Sequence, residues 1–256
     1  GNEGSASVYY GSASGLSLTV GWRAESNQVG AAFGVSVGTA GDVNGDGYAD
    51  VIVGAEFFQN GDIQEGRAFV YHGSATGLSL TFNWRAEGDQ AFAAFGISVG
   101  TAGDVNGDGY ADVIVGAYFF DNGEIDEGRA FVYHGAAMGL SLTPRWTAES
   151  DQANAFFGYT VGTAGDVNGD GYADVIVGAY TFDNGQTDEG RAFVYHGAAM
   201  GLSLTSGWTA ESDQMDASFG ISVATAGDVN GDGYADVIVG ASAFDNGQGN
   251  EGRAFV

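Results

Sequence analysis

The chain has no cysteine, no lysine and one proline, and its only basic residues are seven arginines in 256 positions. Each absence excludes something. Without Cys, disulfide scaffolds and thiolate metal sites are impossible. Seven Arg against 33 Asp and Glu leave a formal charge of −26. The basic surface that displaces counterions from nucleic acid is therefore missing, and an anionic membrane surface would repel the chain. No apolar run approaches the ~18 residues of a membrane helix, so membrane insertion is not expected. No signal peptide is visible, and the chain opens Gly1-Asn2-Glu3-Gly4 without Met, as a processed product or a fragment would.

What is there suffices for a core. Apolar residues make up 44% and aromatics 13% of the chain, enough to order one or two domains. Glycine is abundant at 46 residues, and Val, Phe, Tyr and Thr are plentiful, a poor composition for helices and a good one for strands. The expected class is all-β.

An internal repeat decides the architecture. Trp22, Trp84, Trp146 and Trp208 recur every 62 residues, as do Asp42, Asp104, Asp166 and Asp228. Four such units leave eight residues over, and these are a second copy of one segment: residues 1–8 read GNEGSASV and residues 249–256 read GNEGRAFV. Within a unit we read four strands. Phe33-Gly34-Val35-Ser36-Val37-Gly38-Thr39 alternates with period two, and Val51-Ile52-Val53-Gly54-Ala55 is an apolar run suited to burial on both faces. Arg67 to His72 is the third strand, and the fourth lies near Trp84-Arg85-Ala86-Glu87. Asn60-Gly61, repeated at Asn122-Gly123, Asn184-Gly185 and Asn246-Gly247, reads as a tight hairpin turn. Four antiparallel strands per repeat predict a β-propeller blade that buries its faces only against its neighbours. Residues 1–256 are read as one domain, with blades at about 33–87, 95–149 and 157–211. A fourth, at 219–256, is to be completed by residues 1–25 or by another chain.

Between the first and second strands every unit carries Asp-Val-Asn-Gly-Asp-Gly-Tyr-Ala-Asp. Hard oxygen donors at alternate positions of a tightly turned loop suit Ca²⁺, and Gly47 lets the first loop turn where a Cβ would obstruct. The expected ligands are Asp42, Asn44, Asp46, the carbonyl of Tyr48, and Asp50. The same set recurs at Asp104, Asn106, Asp108, Tyr110 and Asp112, then at Asp166, Asn168, Asp170, Tyr172 and Asp174, and again at Asp228, Asn230, Asp232, Tyr234 and Asp236. This predicts about four Ca²⁺ ions, one per repeat. Three carboxylates within nine residues repel one another unless a cation compensates. Mg²⁺ suits such a cage less, because it keeps more of its water. The loop matches the first nine positions of an EF-hand, but Val53 stands where the twelfth-position Glu would be. The affinity expected is that of extracellular modules, ~10⁻⁴ to 10⁻³ M or somewhat tighter.

The units resemble FG-GAP repeats, the blades of the integrin α-subunit propeller and of bacterial surface proteins. Phe33-Gly34, Phe95-Gly96, Phe157-Gly158 and Phe219-Gly220 supply the "FG". Gly54-Ala55, Gly116-Ala117, Gly178-Ala179 and Gly240-Ala241 supply the "GA" of the second mark, without its Pro. The resemblance implies a propeller with calcium in each blade loop, extracellular or at the cell surface, used for adhesion or ligand binding. Integrin-type propellers carry more blades than the four units here, so the chain is read as a segment of a longer protein or as one of several associating copies.

Other motifs have plainer readings. Gly34-Val35-Ser36-Val37-Gly38 fits the nucleophile-elbow pattern but lies within a strand, and a later copy carries Thr160 in place of Ser, so no enzyme is expected. His72, His134 and His196 are read as strand-end residues on separate blades. Arg67, Arg129, Arg191 and Arg253 follow Glu65, Glu127, Glu189 and Glu251 by two, which allows ion pairs on one strand face. Glu25, Glu87, Glu149 and Glu211 are read as solvated strand ends, and the Trp series as packing between blades. The two segments that differ most between units, 56–65 against 242–251 and 88–92 against 212–216, are the candidate ligand loops. The partner expected is an unknown protein or glycan. A self-associating structural unit exchanging its duplicated terminal strand is the alternative reading, and a lectin a further one.

Overall fold

A computed structural model describes residues 2–256, and within them the chain is all-β, with no helix. β1 (Ser5–Val8), β2 (Gly11–Ser12), β3 (Gly15–Leu16) and β4 (Trp22–Glu25) precede the first complete blade. That blade is β5 (Val37–Gly41), β6 (Asp50–Ala55), β7 (Arg67–Tyr71) and β8 (Trp84–Glu87). The second is β9 (Ser98–Gly103), β10 (Asp112–Ala117), β11 (Arg129–Tyr133) and β12 (Trp146–Glu149). The third is β13 (Thr160–Gly165), β14 (Asp174–Ala179), β15 (Arg191–Tyr195) and β16 (Trp208–Glu211), and a last sheet holds β17 (Phe219–Gly227), β18 (Asp236–Ala241) and β19 (Arg253–Phe255). Each complete blade is a four-stranded antiparallel meander in chain order. Blades stack through their first strands, β5 on β9, β9 on β13 and β13 on β17.

The core lies between blades. One buried cluster joins Ala40, Ile52, Val70 and Trp84 of the first blade to Val113, Val115 and Phe131 of the second. The next repeats it one unit on with Ile114, Val132, Trp146, Val175, Val177 and Phe193. The run Val-Ile-Val in the second strand thus buries Ile toward one neighbour and the flanking Val toward the other. Glycine permits the close stacking: a Cβ on Gly116 would sit 1.9 Å from the carbonyl oxygen of Gly158 in the next blade.

Three readings are corrected. The first strand begins later than Phe33 in the first blade, because Ala32 (φ 56°) and Gly34 (φ 88°) bend the chain there; only in the last sheet does it start at Phe219. Asn60-Gly61 is not a tight hairpin turn. The connection from β6 to β7 covers residues 56–66, and Gly61 has positive φ while Asn60 does not, so the type I′ geometry is absent. Finally, residues 1–25 do not complete the last sheet. β4 pairs with β1, β19 pairs with β18, and the two groups form separate sheets among the described residues.

Candidate metal centres and ligand surface

The four acidic loops fold alike. In the first, Asp42 Oδ1 accepts from the amides of Gly45 (2.7 Å) and Asp46 (3.1 Å), and Oδ2 from Gly47 (2.8 Å). Asn44 Oδ1 accepts from Asp46 N (3.0 Å) and Asp46 Oδ1 from Tyr48 N (3.0 Å). Asp104, Asp166 and Asp228 repeat the first pattern with 2.7 Å bonds from Gly107, Gly169 and Gly231. Positive φ at Gly45 and Gly47 curls the loop so that these amides point inward. The backbone bonds, led by that of Gly233, hold the Asp228 carboxyl below the usual carboxylate range.

The ninth-position carboxylate stands apart from the others. Asp50, Asp112 and Asp174 are fully buried. Asp50 Oδ2 accepts from Val43 N (3.0 Å) and Oδ1 from Gly73 N (2.8 Å), so it ties the acidic loop to the end of β7. Burial raises the pKa of all three, that of Asp112 to about 7, against the lowering effect of the two amide bonds. In the last sheet Asp236 is only half-buried and accepts from Val229 N at 2.8 Å. The donor set of each loop fits a hard cation. It comprises three carboxylates, an amide oxygen and a backbone carbonyl; Asp42 Oδ1 accepts two amide bonds, but Asp42 Oδ2, Asn44 Oδ1 and Asp46 Oδ1 accept one amide bond each, and a cation nearby would relieve the cost of a buried ionised Asp. Asp42, Asn44, Asp46, the Tyr48 carbonyl and Asp50 would hold it, as would their counterparts.

The loops are also chained together, which the spacing of the motif does not reveal. Ala111 N donates to Asp42 O, Ala173 N to Asp104 O and Ala235 N to Asp166 O, each at 3.0 Å. The rings of Tyr110, Tyr172 and Tyr234 cover Gly45, Gly107 and Gly169 of the preceding loop. His72 and His134 belong to this region as well, with Nδ1 3.2 Å from Asn44 Nδ2 and Asn106 Nδ2 respectively. They sit just past their strand ends, on separate blades.

At the opposite end of the blades the Arg series pairs across strands and not with the Glu two residues before it. Arg67 pairs with Glu87, Arg129 with Glu149 and Arg191 with Glu211 (the last two at 2.5 Å), because strand pairing sets each Arg opposite that Glu. Glu87, Glu149 and Glu211 are therefore paired and mostly covered, not solvated, whereas Glu25 is an exposed strand end as expected. Carboxylate oxygens of Glu65, Glu87 and Asp89, and of Glu127, Glu149 and Asp151, come within 4.8 Å of one another. Burial raises the pKa of Glu65 and Glu127. Ser36 and Ser98 of the elbow-like motif accept from Val99 N and Val161 N of the next blade at 3.1 Å, which makes them inter-blade braces.

The two variable segments meet at this end. Gln90 bonds reciprocally to Asp121, donating to its carbonyl (2.9 Å) and accepting from its amide (2.7 Å), and Gln152 does the same with Asp183. Between the second and third blades they gather an aromatic group of Tyr118, Phe119, Phe156, Tyr159 and Tyr180. Tyr118 lies 3.9 Å from Phe119 and 5.4 Å from Tyr159 between centroids, and Tyr159 lies 4.7 Å from Tyr180. All five are partly exposed.

The FG-GAP repeat pattern matches residues 33–71, 95–133, 157–195 and 219–256, more than half of the chain. The chain belongs to the FG-GAP repeat family. Each match begins at the Phe-Gly pair and runs through the acidic loop and the third strand. Integrin alpha-5 of Xenopus laevis is 32% identical over 185 residues, 69% of this chain and 17% of that protein. Integrin alpha-V of Gallus gallus is 33% identical over 189 residues, 70% of this chain and 18% of that protein. The chain thus spans less than a fifth of the length of these relatives. Among solved structures, the exotype rhamnogalacturonan lyase YesX aligns over 78% of this chain and 37% of its own, with a TM-score of 0.49 and 20% identity.

Proposed function

We propose that this FG-GAP propeller segment is a non-enzymatic, extracellular adhesion or ligand-binding module held in shape by calcium. The observation that carries the ligand reading is the group of five partly exposed rings: Tyr118, Phe119 and Tyr180 come from a loop that varies between units, and Phe156 and Tyr159 stand where the other units carry Ala or Ser and Val or Ile. A surface that differs where the scaffold repeats is where recognition belongs, and aromatic rings supply contact area at low entropic cost. A protein or glycan ligand is the partner. Calcium supports the module by neutralising the loops; four ions would offset eight of its 26 net negative charges. With affinities in the ~10⁻⁴ to 10⁻³ M range of extracellular modules, the loops would be filled outside cells and empty inside them.

Two measurements test this. Titrating calcium into the chelated protein should raise the melting temperature, each occupied loop contributing roughly 1–3 kcal/mol at a ten- to hundredfold excess over its dissociation constant. A melting curve indifferent to EDTA would refute the structural role of calcium. Glycan and matrix-protein arrays probed with the chain and with Tyr118→Ala/Tyr159→Ala should show binding lost in the variant while its calcium-dependent melting persists. Binding that survives the double substitution would move the ligand site elsewhere.

A further inference from the structure

The end faces of the array carry matching halves of the interface that joins its blades. Three times within the chain, a Trp of one unit donates its indole N–H to a Ser carbonyl of the next, Trp22 to Ser79, Trp84 to Ser141 and Trp146 to Ser203, at 2.8–2.9 Å. Each of these Trp rings also meets a Tyr of the next unit, Tyr71, Tyr133 or Tyr195, edge-on at 4.8 Å. All three are 4–5% exposed, whereas Trp208, in the same sequence setting, is 40% exposed. Ile52, Ile114 and Ile176 are fully buried and Ile238 is 36% exposed. Gly45, Gly107 and Gly169 are covered by a Tyr ring, and Gly231 faces open space.

At the other face the complementary groups stand uncovered. Counting on by four units, the Tyr that Trp208 lacks corresponds to Tyr9, its Ser carbonyl to Ser17, and the ring for Gly231 to Tyr48. Tyr9 is 49% and Tyr48 43% exposed. Val37 is 59% exposed, while its counterparts Val99 and Val161 are 7–8% exposed. Charge matches too. Arg253 in β19 forms no ion pair among the described residues, although Arg67, Arg129 and Arg191 each pair with the strand-four Glu opposite. Glu25 in β4 faces Ser5, where the other units place that Arg, and its ion-pair partner among the described residues is the exposed Arg23 of its own strand at 3.0 Å.

We infer that two copies of this chain join head to tail, the face of β16–β19 of one receiving the β4–β5 region of the other. The joint is the inter-blade interface already present three times, with Trp208 against Tyr9 and Ser17 of the second copy and Arg253 against its Glu25. Residues 1–8 and 249–256 are copies of one segment, so β1 of the second copy and β19 compete for a single strand position. β19 carries Arg253 and Phe255 where β1 carries Ser5 and Ser7. It alone brings the ion-pairing guanidinium and the ring, which packs 5.2 Å from Phe219. β19 therefore keeps the position, β4 of the second copy pairs with it, and β1 is released.

The test is native mass and light scattering on the 256-residue chain in calcium buffer over a range of concentrations, for the wild type, Arg253→Glu, Glu25→Arg and an equimolar mixture of the two variants. The wild type should form dimers and longer arrays that dissociate on dilution. Each variant alone should associate at least about tenfold more weakly, with an unchanged melting curve because both side chains are exposed. The mixture should regain a heterodimer, since the tail of one variant and the head of the other then bring opposite charges together again, with their signs exchanged. A wild type that stays monomeric at every concentration overturns the inference, as do oligomers indifferent to both substitutions or a mixture no stronger than its components.

Discussion

The buried carboxylates carry the sharpest residue-scale consequence. Asp112 has a folded pKa near 7 through burial, against ~3.9 for an unfolded Asp. Between those values the folded chain binds a proton that the unfolded chain does not, so stability falls as pH rises from about 4 to 7. Asp50 and Asp174 shift the same way. In EDTA the melting temperature should therefore drop across that interval, by the equivalent of a few kcal/mol in all. With saturating calcium the drop should be much smaller, because the cation compensates the ionised form. Asp112→Asn should make the chelated profile shallower, with Asp50 and Asp174 retaining part of the drop, and a chelated profile that rises from pH 5 to 7 would contradict the assignment. The turn of the acidic loops is legible in the sequence, since the Asp, Asn and Gly spacing that shapes it is a local property. The separate behaviour of the ninth position is not, because Gly73, whose amide holds Asp50, lies 23 residues away.

At the scale of the element, strands two, three and four are legible almost to the residue, because an apolar run, an Arg-to-Tyr segment and a Trp mark them in every unit. The first strand and the 56–66 connection are not. There the deciding facts are positive φ at Ala32 and Gly34 and the reciprocal bonds between Gln28 and Gln59 (2.7–2.8 Å), which tie together loops from adjoining units. The Arg–Glu pairing likewise differs from the expected contact along one strand, since the register that sets Arg67 opposite Glu87 is a matter of sheet pairing. The Trp strand offers an internal control. Trp84→Phe removes an indole N–H donor to Ser141 and part of a buried ring, and should cost roughly 1–3 kcal/mol in urea unfolding. Trp208→Phe in the dilute chain should cost well under half as much, because Trp208 has neither the acceptor nor the cover. Equal losses would mean that the inter-blade bond contributes little.

For the whole molecule, self-repulsion is the largest opposing term that can be changed from outside. With −26 formal charges, the chelated protein should gain stability with added salt, which screens surface charges beyond about 10 Å at 0.1 M. The gain should be smaller once calcium occupies the loops. Melting temperatures measured against sodium chloride with and without calcium check this, and a salt response identical in the two states would argue against cation binding at the loops. The repeat announces the propeller; its interruption between β19 and β1 is a property of packing and lies outside what spacing can tell.

The close stacking at Gly116, which leaves no room for a Cβ, the Trp-to-Ser bond and the Ala-to-Asp bond between loops all recur at one interval and are made by the same residue types at each joint. Excising or inserting one whole 62-residue module should therefore leave every surviving joint chemically unaltered. Unequal crossing-over within so regular a coding sequence would then lengthen or shorten the protein in steps of one blade, each product foldable, so that reach can evolve without passing through broken intermediates.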